Sequence, residues 1–272
     1  MNSDRPLRLL FLGLAIFDLI LGTIFIFFGE YLFSVFHLGT YSQPQFFMIC
    51  VGIFLYHYVY VQYMAFKDPR KYSTCLNMTV LIRLTFPIIY ISSVFLWGLP
   101  FTLLHILFIT SALGDLLVSA FILYSMKKLN ISFFHGDEPL INLGKGPPLL
   151  RVILLVLAIA EFFICWNWML LPKFWLQFFN MPYTVDPFWT RATGVFSFNL
   201  AYIQFLSFRN IHKYRTAVIT SGLFRAPWWP ILYWYWTAFG EGNLLFKIFI
   251  MFFSFFDIAM GIIIFGLLKK AK

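Results

Sequence analysis

The sequence contains few charged residues. Only 11% of its 272 side chains are Asp, Glu, Lys or Arg, whereas 61% are hydrophobic; typical soluble domains are about one quarter charged. Much of the apolar sequence lies in runs of about twenty residues, the length that an α-helix needs to cross a bilayer. The composition therefore excludes an ordinary soluble domain and predicts a polytopic membrane protein.

Cysteine is also scarce. The three cysteines, Cys50, Cys75 and Cys165, have no C-x-x-C spacing, so the sequence predicts neither a zinc or other metal site nor a disulfide framework. The G-x-S-x-G, Walker and H-E-x-x-H motifs are absent, which removes the commonest signals of hydrolases, ATPases and zinc proteases. The sequence thus assigns no catalytic residue and no cofactor.

Eight apolar runs are long enough to form transmembrane helices. They cover residues 9–28, 45–66, 73–97, 101–126, 149–171, 188–208, 216–239 and 244–268. Two aromatic segments, 30–38 and 173–180, are too short and polar to span, and we expect them to be interfacial helices at the outer face. The predicted fold class is therefore an all-α membrane protein with eight transmembrane helices.

Basic residues mark one side of these runs. Fifteen of the twenty Lys and Arg residues lie at the termini, in the loops 67–71, 127–148 and 209–215, or, for Arg151, shortly after a loop. Such loops are cytoplasmic in membrane proteins, so we expect a multi-pass protein of the cell (inner) membrane with both termini inside. The net charge of +9 follows from these loops. Membrane lipid and other membrane subunits are the expected partners, and nucleic acid is not.

One constant offset relates the two halves of the chain. Adding 142 to the numbers of Tyr72, Arg83, Gly98, Asp115 and Lys127 gives Tyr214, Arg225, Gly240, Asp257 and Lys269. Because each half has an even number of predicted helices, the two copies keep the same orientation in the membrane. The sequence therefore predicts two parallel four-helix repeats, 1–128 and 149–272, joined by a cytoplasmic linker, 129–148.

Polar residues at one depth in the predicted helices are the candidate ligand-binding or ion-binding residues. They are Asp18, His57, Arg83 and Asp115 in the first copy, and Glu161, Asn199, Arg225 and Asp257 in the second. At 1.5 Å per residue, each lies about 15 Å from the cytoplasmic edge, near the bilayer midplane. Ionised residues at this depth are costly unless they are paired.

Each of the four helices of a copy contributes one of these residues, and we expect them to form one polar cluster per copy. Within the clusters, we expect Arg83 to pair with Asp115 and Arg225 with Asp257. Asp18 and Glu161 are then left over, to be protonated, bind a cation or exchange a proton. The alternative is that the pairs only lock neighbouring helices. Two glutamines half as deep, Gln62 and Gln204, are expected to form interhelical hydrogen bonds rather than to bind a ligand. A haem site at His57 is not favoured, because the counterpart of His57 in the second copy is an asparagine.

The order of these features resembles a known family. A first helix and an outer segment ending at Phe36-His-Leu-Gly39 are followed by Gly52, a Lys67-Asp-Pro-Arg70 turn and an intramembrane arginine. The second copy has Arg191-Ala-Thr-Gly194, where the first has isoleucine in place of the arginine. This pattern resembles the DoxX-like group of small four-helix membrane proteins, one unit per copy. The resemblance implies an association with membrane oxidoreductase complexes, or no assigned role, and no particular substrate.

Two function classes remain open. The 37 phenylalanines and nine tryptophans favour a binding or accessory protein that holds a lipid-like or quinone-like molecule, or a partner subunit, against its aromatic helices. The midplane acids indicate instead a small-ion or proton-coupled transporter whose two halves rock against each other. A water-accessible path to Asp18 or Glu161 would indicate transport.

Overall fold

The computed structural model describes residues 4–29, 31, 45–96, 103–133, 146–181, 188–225, 240 and 242–270. The secondary structure of this part of the chain is helical, in nine helices. They are α1 (Arg5–Phe27), α2 (Gln45–Lys67), α3 (Ser73–Leu96), α4 (Leu103–Lys128), α5 (Pro148–Leu170), α6 (Pro172–Phe178), α7 (Phe188–Arg209), α8 (Arg215–Phe224) and α9 (Leu244–Lys270). Six of them, α1 to α5 and α9, are long and apolar enough to cross a membrane.

These six helices correspond to six of the eight predicted runs. The largest difference at a helix end is four residues, at the start of α1, which begins at Arg5 and not at residue 9. Of the predicted run 216–239, α8 covers the first part, and residues 226–239 lie outside the described residues. The predicted interfacial segment 173–180 corresponds to α6, whereas all of segment 30–38 except Tyr31 lies outside the described residues.

Helix α7 is buried although it is the least apolar of the long helices. It matches the predicted run 188–208 closely, but it is not among the six candidate spans. Its polar residues include Thr193, Ser197, Asn199 and Gln204, and 17 of its 22 residues are buried. Neighbouring helices therefore shield a segment that would be too polar to face lipid.

The outer helices have apolar exposed faces. The apolar stretches of α2 and α3 are 72% and 61% buried, against 28% or less for α1, α4, α5 and α9. Leu117 on α4 is 71% exposed, and Phe255 and Ile262 on α9 are each 68% exposed. A soluble protein rarely exposes large apolar side chains over whole helices, whereas lipid chains cover them without cost. The architecture is that of a helical membrane protein.

The helices pack around α2, α3 and α7, and one hydrophobic core includes residues from both sides of the predicted linker. Helix α1 packs on α2, α5 on α7, α4 on α3 and α9 on α8. The α1–α2 contact is close because Gly22 faces Gly52: a Cβ on either glycine would lie 2.9 Å from the other's carbonyl oxygen. Small residues allow such an approach between membrane helices.

Arginines from α1 and α5 bind the carbonyl groups at the ends of α2 and α7. Arg8 Nη1 donates to the carbonyl oxygen of Phe66, at 3.3 Å. Arg151 Nε donates to the carbonyl oxygen of Phe208, at 3.0 Å. The last carbonyls of a helix have no partner within the helix and carry a partial negative charge, so a guanidinium stabilises them.

Candidate functional site

Arg225 connects three helices in the second half of the chain. It follows the last residue of α8 and is 2% exposed. Its Nη2 lies 3.0 Å from Glu161 Oε1 on α5, and its Nε lies 3.1 Å from Asp257 Oδ1 on α9. The contact with Asp257 is an ion pair without the geometry of a hydrogen bond, because Nε has no hydrogen-bond partner. Two carboxylates thus share one guanidinium.

A glycine on α9 allows the close approach that this cluster needs. Gly261 lies four residues after Asp257, on the same face of the helix. A Cβ at Gly261 would lie 3.2 Å from the carbonyl oxygen of Arg225 and 3.4 Å from that of Gly222. The absence of a side chain lets α9 approach the end of α8, which brings the aspartate within reach of the arginine.

Arg83 forms a similar cluster in the first half. Its Nη1 lies 2.5 Å from Asp115 Oδ1 on α4, and its Nη2 lies 3.6 Å from Asp18 Oδ1 on α1. Asp18 is 4% exposed. Gln62 on α2 donates from Nε2 to Asp18 Oδ2, at 2.5 Å. Four helices therefore contribute one side chain each.

Both expected ion pairs are present, but the prediction that Asp18 and Glu161 are left over is wrong. Glu161 is at least as close to Arg225 as Asp257 is. The prediction assigned only one acid to each arginine. A guanidinium presents five N–H groups in a planar fork, and it can therefore serve two carboxylates on different helices.

The other two candidates, His57 and Asn199, lie outside the ion-pair clusters. His57 Nδ1 is 2.8 Å from the carbonyl oxygen of Ile53, and its Nε2 is 3.0 Å from that of Leu223 on α8. Asn199 Nδ2 donates to the carbonyl oxygen of Val195, at 3.0 Å. The expectation that each of the four helices contributes its midplane residue to one cluster is therefore wrong for α2 and α7.

The glutamines form interhelical hydrogen bonds, as predicted, and they also extend the clusters. Gln62 binds Asp18 directly, whereas Gln204 Nε2 donates to Ser221 Oγ at 3.3 Å. Ser221 is a further member, because its carbonyl oxygen accepts a bond from Arg225 Nη1 at 3.3 Å. Ser221 was not among the predicted site residues, although it lies one helical turn before the arginine on the same face.

A cavity of about 270 Å³ adjoins the second cluster. Glu161, Arg225 and Asp257 all line it, and they are the only ionisable residues among the described side chains of its wall. Ten aromatic side chains line the rest: Phe46, Phe54, Phe163, Trp168, Trp175, Phe179, Phe224, Phe249, Phe253 and Phe256. The many phenylalanines and tryptophans predicted an aromatic binding surface, but no sequence pattern indicated this cavity.

Helix α9 forms one side of the cavity. Its lining residues on that helix extend from Asp257 back to Phe249, which is about 12 Å at 1.5 Å per residue. Trp175 on α6 lines the wall and donates from Nε1 to Asn167 Oδ1, at 3.1 Å. This bond ties the short helix α6 to α5, and it fixes one aromatic ring of the wall.

The arrangement combines an apolar chamber with an ionic group. Aromatic walls suit the hydrophobic part of a small molecule, and a few polar groups in such a wall fix its orientation.

No protein-family model, curated protein or solved structure matches the chain.

Proposed function

We propose that the protein is an integral membrane binding protein that holds a lipid-like or quinone-like molecule in the cavity lined by α2 and by α5 to α9. The observation that carries the proposal is the coincidence of ten aromatic side chains with Glu161, Arg225 and Asp257 in one wall. Ligand pockets are typically apolar with a few convergent polar groups, and their volumes begin at about 300 Å³. The cavity is close to that lower limit, so it suits a ring or a short chain.

The proposal includes the organisation of the chain in the membrane. The chain has eight spans, arranged as two parallel four-helix repeats, with both termini cytoplasmic. The two repeats account for the constant offset of 142 residues. Two observations support the repeat. Arg83 and Arg225 each contact two acids on other helices, and Phe66 and Phe208 each offer a carbonyl oxygen to an arginine.

The DoxX-like assignment belongs to the same proposal. It rests on the spacing of the glycines and arginines in the sequence, and it suggests an accessory role beside a membrane enzyme. The exposed faces of α4 and α9 (Leu117, Phe255 and Ile262) would then contact lipid or a neighbouring subunit.

The test is purification from native membranes, followed by mass spectrometry of the lipids, quinones and proteins that accompany the chain. Ala160 lines the cavity and is exposed, so Ala160→Phe places a ring at the cavity wall. Ala120 is also exposed, but it lies on α4 away from the cavity, and Ala120→Phe is the matched control.

The proposal predicts one small apolar species that is enriched above bulk lipid in the unmodified protein and in Ala120→Phe, and depleted in Ala160→Phe. Equal amounts in all three proteins, or no enrichment in any, would refute it.

A second candidate is a small-ion or proton-coupled transporter. It is favoured by the charge of the clusters: two carboxylates against one guanidinium leave each cluster one negative charge in excess when both acids are ionised. Such an excess inside a membrane protein calls for a proton or a cation. Ion or proton flux into liposomes that contain the protein, abolished by Glu161→Gln, would support transport. Absence of flux would exclude it for the ions tested.

A further inference from the structure

We infer that the molecule held in the cavity is a protonated amine that carries an aromatic or alkyl group, and not a neutral quinone or an anionic lipid. The inference rests on the proposed function, since it concerns the ligand of the same cavity, and it narrows the proposed ligand class to molecules with a cationic head group. It follows from the polar atoms of the wall that remain available to a ligand.

Most neutral polar groups of the wall are already bonded to the protein. Thr193 Oγ1 donates to the carbonyl oxygen of Trp189 at 2.9 Å, and Ser254 Oγ donates to that of Ile250 at 2.8 Å. Asn167 Nδ2 donates to the carbonyl oxygen of Phe163 at 2.8 Å, and its Oδ1 accepts from Trp175. The hydroxyl hydrogens of Thr193 and Ser254 and the indole N–H of Trp175 are therefore not free to bind the carbonyl oxygens of a quinone.

The positive charge of Arg225 is also already paired with two acids. Arg225 directs Nη1 to Ser221, Nη2 to Glu161 and Nε towards Asp257. An anionic ligand would have to compete with two carboxylates that are already within 3.1 Å of the guanidinium. Repulsion between like charges opposes that exchange.

The carboxylates have the remaining capacity. An ionised carboxylate has two oxygens with about four acceptor sites. Glu161 contacts Arg225 through one oxygen and also accepts a hydrogen bond from Ser197, and Asp257 contacts Arg225 through one oxygen, so acceptor sites remain on both acids. When both acids are ionised, Glu161 and Asp257 together exceed the charge of the guanidinium by one unit. A ligand ammonium group would supply both the missing positive charge and hydrogen-bond donors.

The aromatic wall suits the same ligand. The faces of Phe and Trp rings attract cations, and they pack against hydrocarbon groups. Phe253 and Phe256 lie beside Asp257 along α9, and Phe224 directly precedes Arg225; all three line the cavity. An amine near the carboxylates therefore has aromatic rings around it. Its apolar group would extend along α9 towards Phe249, over a distance of about 12 Å, the length of about eight helical residues.

The test uses three probes with one carbon skeleton and different charges: 4-phenylbutylamine, 4-phenylbutanol and 4-phenylbutyrate. Binding to the full chain in nanodiscs of zwitterionic lipid is measured by titration calorimetry, and empty nanodiscs provide the correction for partition into lipid. We expect the amine to bind about tenfold more tightly than the alcohol and the carboxylate, a ratio typical of one added charge contact.

Three variants separate charge from folding. Asp257→Asn should reduce amine affinity about tenfold and leave the alcohol unchanged. Asp115→Asn removes the corresponding acid of the other cluster and should change neither. Glu161→Gln combined with Asp257→Asn leaves Arg225 as the only ionisable group of the described wall, so the preference should reverse towards the carboxylate.

The outcomes distinguish the inference from the proposed function. If the alcohol or the carboxylate binds the unmodified protein as tightly as the amine, the inference is wrong and the apolar binding site stands. If none of the three probes binds, the proposed binding function fails with it. Loss of amine binding in Asp115→Asn, to the same extent as in Asp257→Asn, would overturn the assignment of this cavity.

Discussion

Arg225 Nη2 lies 3.0 Å from Glu161 Oε1, so this arginine joins α8 to α5 as well as to α9. The electrostatic unit is therefore a triad of Glu161, Arg225 and Asp257, and not a single ion pair. Removal of the arginine affects two acids, whereas removal of either acid leaves the arginine one partner. The stability of variants should follow that asymmetry.

We predict that Arg225→Leu destabilises the protein more than Glu161→Gln or Asp257→Asn. Breaking a buried ion pair by removal of one partner typically costs about 3–5 kcal/mol, and the leucine leaves both acids without their counter-ion. Each acid variant retains one contact with Arg225. The measurement is the unfolding midpoint in mixed detergent and SDS micelles.

The same series includes a compensated variant. Combining Arg225→Leu with Glu161→Gln and Asp257→Asn removes all three charges, so it should be more stable than Arg225→Leu alone. Losses that simply add across the three substitutions would show that these residues do not form one electrostatic unit.

We predict that Gln62→Leu is more destabilising than Gln204→Leu. Gln62 donates to the carboxylate of Asp18, whereas Gln204 donates to the hydroxyl of Ser221. Hydrogen bonds to charged groups contribute about 1.5–3 kcal/mol, and those between neutral groups about 0.5–1.5 kcal/mol. The two variants make the same chemical change in α2 and α7, so each is the control for the other. A larger loss in Gln204→Leu would contradict the direct bond to Asp18.

We predict that Gly261→Leu loosens the contact between α8 and α9. The new side chain meets the backbone oxygens of Arg225 and Gly222, and overpacking of this kind costs about 1–3 kcal/mol. The control is Gly266→Leu on the same helix, where a Cβ meets nothing within 4 Å. Thermal unfolding of both variants provides the comparison, and equal midpoints would show that the close approach is not required.

We predict that both termini and the linker 129–148 are on the cytoplasmic side. The reason is the fifteen basic residues that the termini and the neighbouring loops contain. Accessibility to a membrane-impermeant thiol reagent, after a single cysteine is introduced into each segment, measures the topology. Labelling of the linker from outside intact cells would refute the arrangement of two parallel repeats.

The sequence alone determined the class of the protein and most helix ends. Runs of apolar residues predicted α2, α3, α5 and α9 to within two residues, because loss of hydrophobicity and the appearance of Lys or Arg mark where a helix leaves the apolar layer. It also indicated that Arg83 and Arg225 need acidic partners, since both interrupt runs that are otherwise apolar. The two ion pairs followed from equal depth.

Tertiary structure decided which residues at that depth meet. His57 and Gln62 are five positions apart, which on a helix of 3.6 residues per turn places them on different faces. His57 lies at the predicted depth, but Gln62 lies on the face of α2 that contacts Asp18. The choice between faces depends on where α1 packs against α2, and Gly22 and Gly52 set that contact. Likewise, the aromatic cavity beside Arg225 arises only where α2 and α5 to α9 come together, because its wall is assembled from residues that are far apart in the chain.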